Sequence, residues 1–210
     1  YDGKTFDGNN KTIKYTGTDN WGGLFAPVAN KTFTLKNTTF DYYGDGGSTS
    51  MYVDEYDGCF FSDSDGITGY TITIDNCHST TTATGSNLPT IGYNDTGGDD
   101  DRTWAGGIVG YYFGNGGTAT ITNCSNSFAT HGSSSGGICG PYVGGNGGTV
   151  TIQNCYSTGK LGGWTEGGIC GPYAGYNGGT VLIKNCYSTG DISGWSGGGI
   201  CGKVAGDSGT

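Results

Sequence analysis

Residues 136–166 read GGICGPYVGGNGGTVTIQNCYSTGKLGGWTE and residues 167–197 read GGICGPYAGYNGGTVLIKNCYSTGDISGWSG; 22 of the 31 positions are identical. Self-similarity at a fixed period of this size is the signature of a repeat architecture. An earlier unit, 106–135, keeps the frame as GGIVGYYFGNGGTATITNCSNSFATHGSSS. Two more degenerate units precede it: Gly22-Gly23-Leu24-Phe25 with Thr32 to Asn37, and Gly58-Cys59-Phe60 with Tyr70 to Cys77. A sixth opens at Gly198. Before each unit's Asn the residues alternate: Thr149, Thr151 and Gln153 share one parity, Val150, Ile152 and Asn154 the other. A period of two means strand, not helix.

Strands recurring at a constant offset predict an all-β fold, a parallel β-solenoid with coils of about 31 residues. Three short strands per coil are expected, around Gly-Gly-Ile-Cys, around Thr-Val-Thr-Ile, and from Tyr-Ser-Thr-Gly to Leu161 or Ile192. Crossovers between parallel strands favour a right-handed path. Stacking at the strand spacing of about 4.8 Å places equivalent residues above one another. Asn37, Asn76, Asn123, Asn154 and Asn185 then form a hydrogen-bonded amide ladder at a buried corner. One continuous solenoid is expected, with opening coils and irregular insertions over residues 1–105 and regular coils over 106–210.

Composition agrees with a narrow core. The chain has 46 Gly among 210 residues and only 33% hydrophobic residues, yet it carries 15 Tyr, 8 Phe and 4 Trp. A disordered Gly-rich chain would lack such aromatics, and an ordinary globular domain is about half apolar. The net charge of −9 excludes nucleic acid as a partner, and no apolar run is long enough for membrane insertion. No leader-like succession opens the chain, and Lys203 to Thr210 starts another coil, so the sequence is expected to belong to a processed or longer protein.

The unit Gly-Gly-Ile-Cys-Gly through Asn-Cys-Tyr-Ser-Thr-Gly-Asp-Ile-Ser-Gly resembles the GLUG motif, a repeat of bacterial and other surface proteins and adhesins. The resemblance covers about half the chain, from Gly106 onward, and departs from the motif at Cys139, Cys170 and Cys201, where an aliphatic residue is usual. The opening, Tyr1 to Ile13, resembles the first coil of many secreted right-handed β-helices. The family implies an extracellular solenoid used as a stalk or adhesive segment, and no catalytic residues.

Eight cysteines fall into two columns, Cys124, Cys155 and Cys186 stepping by 31, as do Cys139, Cys170 and Cys201. No C-x-x-C pair or Cys/His cluster suggests zinc. Disulfides within a coil would join Cys59 with Cys77, Cys139 with Cys155, and Cys170 with Cys186. Pairing each Asn-Cys with the next Gly-Ile-Cys would instead join Cys124–Cys139, Cys155–Cys170 and Cys186–Cys201. Reduced thiols packed as small apolar groups are the third option. Bridges, like the sequons at Asn10, Asn30 and Asn94, would fit an extracellular or cell-surface location. Sequons also occur at Asn37 and Asn123, within the amide column.

Acids cluster in the irregular half. Asp63 and Asp65, with Asp99, Asp100 and Asp101, offer hard oxygen ligands at turns for a structural calcium ion, without a complete loop signature. A polysaccharide-cleaving enzyme would need two carboxylates on rigid elements; these lie in insertions, and the chain reads as non-enzymatic with no other cofactor. Trp164 and Trp195, 31 apart, define a surface aromatic stripe, with Trp21 and Trp104 at similar places before Gly-Gly pairs and Tyr156 with Tyr187 in a further column. Such stripes mark self-association or glycan binding. The outward Thr-x-Thr rows from Thr32 and Thr34 to Thr149 and Thr151 resemble an ice-binding grid. The reading that fits most of these features is a fibre, stalk or surface-filament subunit assembling through solenoid ends and aromatic faces; the alternative is a carbohydrate-binding adhesin.

Overall fold

The computed structural model describes residues 2–17, 20–43, 52–83, 88–91, 103–130 and 132–209. Among them there are twelve strands and no helix; hence no described helix is long and apolar enough to cross a membrane. The strands are β1 (Lys4–Tyr15), β2 (Thr32–Tyr42), β3 (Tyr52–Val53), β4 (Thr71–Thr81), β5 (Thr90–Ile91), β6 (Thr118–Thr122), β7 (Ser125–Asn126), β8 (Ala129–Thr130), β9 (Thr149–Gln153), β10 (Tyr156–Ser157), β11 (Thr180–Lys184) and β12 (Tyr187–Ser188).

All strand pairings are parallel. The large sheet runs β11-β9-β6-β4-β7-β10-β12, with β2 on β4 and β1 on β2; β3-β5-β8 form a smaller one. The register follows the sequence units: Val181 lies beside Val150, Val150 beside Ala119, and Ala119 beside Ile72. The alternation therefore sorts the residues as expected. Phe33, Leu35, Ile72, Ile74, Ala119, Ile121, Val150 and Ile152 are buried, while Thr71, Thr118 and Thr149 on the other parity are exposed.

Not every expected strand is one. The Gly-Gly-Ile-Cys segments pair through isolated bridges, Gly106 to Gly136 to Gly167 to Gly198 and Val109 to Cys139 to Cys170 to Cys201; Leu161 bridges Thr130 and Ile192 in the same way. The reason is steric. A Cβ at Gly168 would strike the Gly199 carbonyl of the next unit and sit 2.5 Å from the Ser188 Cβ. Glycine admits this close approach but gives the backbone too little constraint for a regular strand.

The interior changes character along the chain. The early units are filled by rings: Phe25 packs on Phe33 and Phe61, Phe61 on Phe113, and Trp21 on Tyr15 and Phe40, with centroids 4.7 to 5.7 Å apart. The later units replace them with Val, Ile and Cys.

Candidate interaction surfaces

The unit asparagines mark a corner. Asn37, Asn76, Asn123, Asn154 and Asn185 all adopt φ between 53° and 55°, the left-handed conformation that asparagine tolerates better than most residues. Asn185 Nδ2 donates to Asn154 Oδ1 (3.3 Å), Asn154 to Asn123 (3.2 Å), and Asn123 to the Asp75 carboxylate (2.8 Å). A second run goes from Asn76 to Asn37 (2.9 Å) and from Asn37 to Asp7 (3.0 Å). The expected ladder is thus two runs, each ending on a carboxylate, and its corner is not buried: Asn123, Asn154 and Asn185 are exposed. The left-handed turn swings the amide outward.

Replacing Asn154 with Ala should destabilise the fold by about 1–3 kcal/mol, since Ala is strained at this φ and the ladder loses a link. Asn154→Gly keeps the conformation and should lose only about half as much. Urea midpoints check the order; equal losses in both variants would remove the role of the left-handed backbone, and no loss in Asn154→Gly would remove that of the amide link.

A third amide run, absent from the sequence reading, joins Asn177 to Asn146 (2.8 Å) and Asn146 to Asn115 (2.9 Å). Its signal was visible, an Asn before each Gly-Gly-Thr, but the one-residue offset between units 106–135 and 136–166 obscured it.

The cysteines differ from both expected pairings. All eight are free thiols. In the Asn-Cys column the sulfurs line up along the sheet: Cys124 N–H donates to Cys155 Sγ and Cys155 N–H to Cys186 Sγ, both at 3.4 Å. The thiols of Cys124, Cys155 and Cys186 in turn donate to the carbonyls of Thr122, Gln153 and Lys184 at 3.0 to 3.3 Å. Cys59 also sits elsewhere than predicted. With Gly58 on Gly106 and Phe61 on Val109, it aligns with Gly107, so Phe61 and not Cys59 is the counterpart of Cys139. Burial pushes the Cys59 and Cys124 thiols up, keeping them protonated.

The aromatic columns are partly as expected. Trp164 and Trp195 stack at 6.0 Å and 12°, 65% and 90% exposed, and Tyr156 and Tyr187 at 5.2 Å and 5°. Trp21 and Trp104 do not join them. Trp21 packs among Tyr15 and Phe40 and donates Nε1–H to the Cys59 carbonyl (2.9 Å). Trp104 lies two residues before its Gly-Gly pair where Trp164 lies three before, which turns it onto Tyr56 and Tyr111. Tyr112, Tyr142 and Tyr173 form a further column, 4.8 and 4.6 Å apart, at φ 55° to 60°. Three bulky residues in this region store strain that the stacking must offset. Tyr142 has given both ring faces to its neighbours.

His78, in register with Ser125 and through it with Tyr156 and Tyr187, is half-buried between Ser125 Oγ (2.8 Å) and Asn76 Oδ1 (3.0 Å). Burial lowers its pKa, so it is neutral. The threonine rows align as well, Thr34 beside Thr73, Thr120 and Thr151, until Leu182 ends the row. Asn10 is exposed and Asn30 lies at a turn; Asn94 and Asp99 to Asp101 fall outside the described residues.

Two acids stand out by environment. Asp57, one of the acids clustered in the irregular half, accepts the Asp63 N–H (2.8 Å), and Asp63 accepts the Asp65 N–H (2.7 Å). Burial, reinforced by Asp54 and Asp63, pushes Asp57 up to about 6. Among the described residues no group of three His, Cys, Asp or Glu side chains converges on a point that could hold a metal ion. Glu166 is fully buried; its Oε2 accepts the Gly163 N–H (2.7 Å), its Oε1 has no hydrogen-bond partner, and burial pushes it up to about 7. The sequence signal was a lone charge where the adjacent units carry Ser135 and Gly197. Comparison with protein-family models, with curated proteins and with solved structures gives no match.

Proposed function

We propose that the chain is a non-enzymatic structural segment of the extracellular surface, a stalk, fibre or filament subunit, wound as a right-handed parallel β-solenoid with three pairing sites per turn. The observation that carries the reading is that pairing follows the unit offset at separate places in each unit: in the Thr-Val-Thr-Ile strand, in the Tyr-Ser strand, at Leu161 and Ile192, and along Gly-Gly-Ile-Cys. A chain that returns to each place once per unit stacks into a rod. The motif's likeness to GLUG repeats fits this role, and other chains would meet it at its ends and its Tyr and Trp faces. Asp65 lies exposed in a turn between units, where a solvated acid keeps a rod soluble.

A second reading, a carbohydrate-binding adhesin, is favoured by the 65% and 90% exposure of Trp164 and Trp195, since sugars pack on open ring faces. Negative-stain images and glycan arrays decide between them. The structural reading expects short stiff rods, unchanged by the Trp164→Ala/Trp195→Ala double variant, and no glycan bound. Globular or flexible particles would overturn it. Glycan binding lost in the double variant would establish the second.

A further inference from the structure

The outward face of the large sheet carries a pattern that neither reading uses. Six strands, β1, β2, β4, β6, β9 and β11, lie side by side in matching register, and their outward residues form three files across the strands. The first file is Thr32, Thr71, Thr118, Thr149 and Thr180. The second is Thr5, Thr34, Thr73, Thr120 and Thr151, closed by Leu182. The third is Asp7, Lys36, Asp75, Thr122, Gln153 and Lys184. All members of the first file are exposed, and Thr34, Thr73, Thr120 and Thr151 of the second are half-exposed.

The third file shows what a solvent-facing position on these strands tolerates: acid, base, amide or hydroxyl. Strand propensity favours threonine on all three files alike, yet the first two hold it at ten of eleven positions. The inward residues between those two files meanwhile change from Phe33 to Ile72, Ala119 and Val150. Something outside the fold therefore accounts for the threonines. Neither threonine file holds a charge. Asp7, Lys36, Asp75 and Lys184 border the grid in the third file, the Lys31–Asp2 ion pair (3.4 Å) lies ahead of the first, and Lys4, between the files in β1, has the opposite parity. On a chain of net charge −9, an uncharged field of methyls and hydroxyls suits an uncharged partner. No aromatic residue stands in the three files, so a sugar ring has no platform there.

Strand geometry spaces such a grid at about 4.8 Å across the strands and about 6.7 Å between alternate residues along them. Both repeats are close to the oxygen repeats on a prism face of hexagonal ice. Threonine is stiff at χ1, so its methyl and hydroxyl are set before contact and little ordering is left to oppose binding. From the grid, its lack of charge and its constancy beside a varying third file, we infer that this sheet face binds ice. The hydroxyls take lattice positions, donating to and accepting from the outermost water layer, and the methyls sit in the hollows between those waters. This role needs only the register, and neither the stalk nor the adhesin reading.

Growth of single ice crystals in dilute buffer containing the full chain tests it. The expected result is a gap between melting and freezing points, with faceted crystals. Thr120→Lys, in the middle of the grid, should lose most of the gap, whereas Gln153→Lys, in the third file, should keep it; urea midpoints show which variants fold. Should Thr120→Lys not fold, Thr149→Lys places the same charge at an exposed position. A folded wild type with no gap, a gap kept in both threonine variants, or an equal loss in Gln153→Lys would each overturn the inference. So would binding to crystalline cellulose or chitin without any effect on ice. Each of these failures leaves rods in negative stain, and with them the structural reading, untouched.

Discussion

Between pH 4.5 and 7 the chain is expected to lose about 3 kcal/mol of stability that a Glu166→Gln variant keeps. The fully buried Glu166 carboxyl has its pKa raised from 4.5 to about 7, chiefly by burial. A raised acid holds its proton more tightly in the folded chain than in the unfolded one. Below the unfolded value both states are protonated and the group adds no penalty; above the folded value the fold carries a buried charge. Each pH unit between them costs about 1.4 kcal/mol. Asp57, raised to about 6, contributes in the same direction, so the quantity to measure is the difference between wild type and variant. Urea midpoints at steps from pH 4.5 to 8.5 give it. Parallel profiles for the two proteins would mean that Glu166 is ionised, or solvated, in the native state.

Ile152→Ala should cost about 2–5 kcal/mol, while Thr151→Ala, one residue away, should stay within about 0.5 kcal/mol. Ile152 is fully buried between Ile121 and Ile183, and Thr151 points out between Thr120 and Leu182. In a core one or two side chains wide, no second layer can collapse into the hole, which places the loss toward the upper end. Thermal or urea unfolding of both variants checks it. Similar losses at the two positions would remove the assignment of inside and outside on which the whole register depends.

Much of the architecture was legible because the repeat is legible. Period-two alternation told Ile152 from Thr151, and the constant step of 31 placed Asn154 beside Asn185 and Trp164 beside Trp195. What failed did so where a one-residue difference decides direction. Trp104 looked equivalent to Trp164, yet it lies two residues and not three before its Gly-Gly pair and packs on Tyr56 and Tyr111. Cys59 looked like Cys139 because both follow glycine, but the bridges align it with Gly107. The asparagine column was expected inside because each asparagine shares the parity of the inward apolar pair before it; its left-handed backbone turned it outward, where the amides still find each other. Glu166 carried no warning beyond being out of pattern, since burial of a single acid depends on the path of a loop that no periodicity describes.

The amide runs have a consequence for how such a chain can change length. Asn154 passes one hydrogen bond to Asn123 in the unit before it and receives one from Asn185 in the unit after. Excising or duplicating a whole 31-residue block would present Asn185 with a neighbour chemically identical to the one it lost, and no donor or acceptor would be stranded. Residues gained or lost within β9 or β11 would break the hand-offs, whereas insertions between strands need not, since Asn76 still donates to Asn37 across 39 residues.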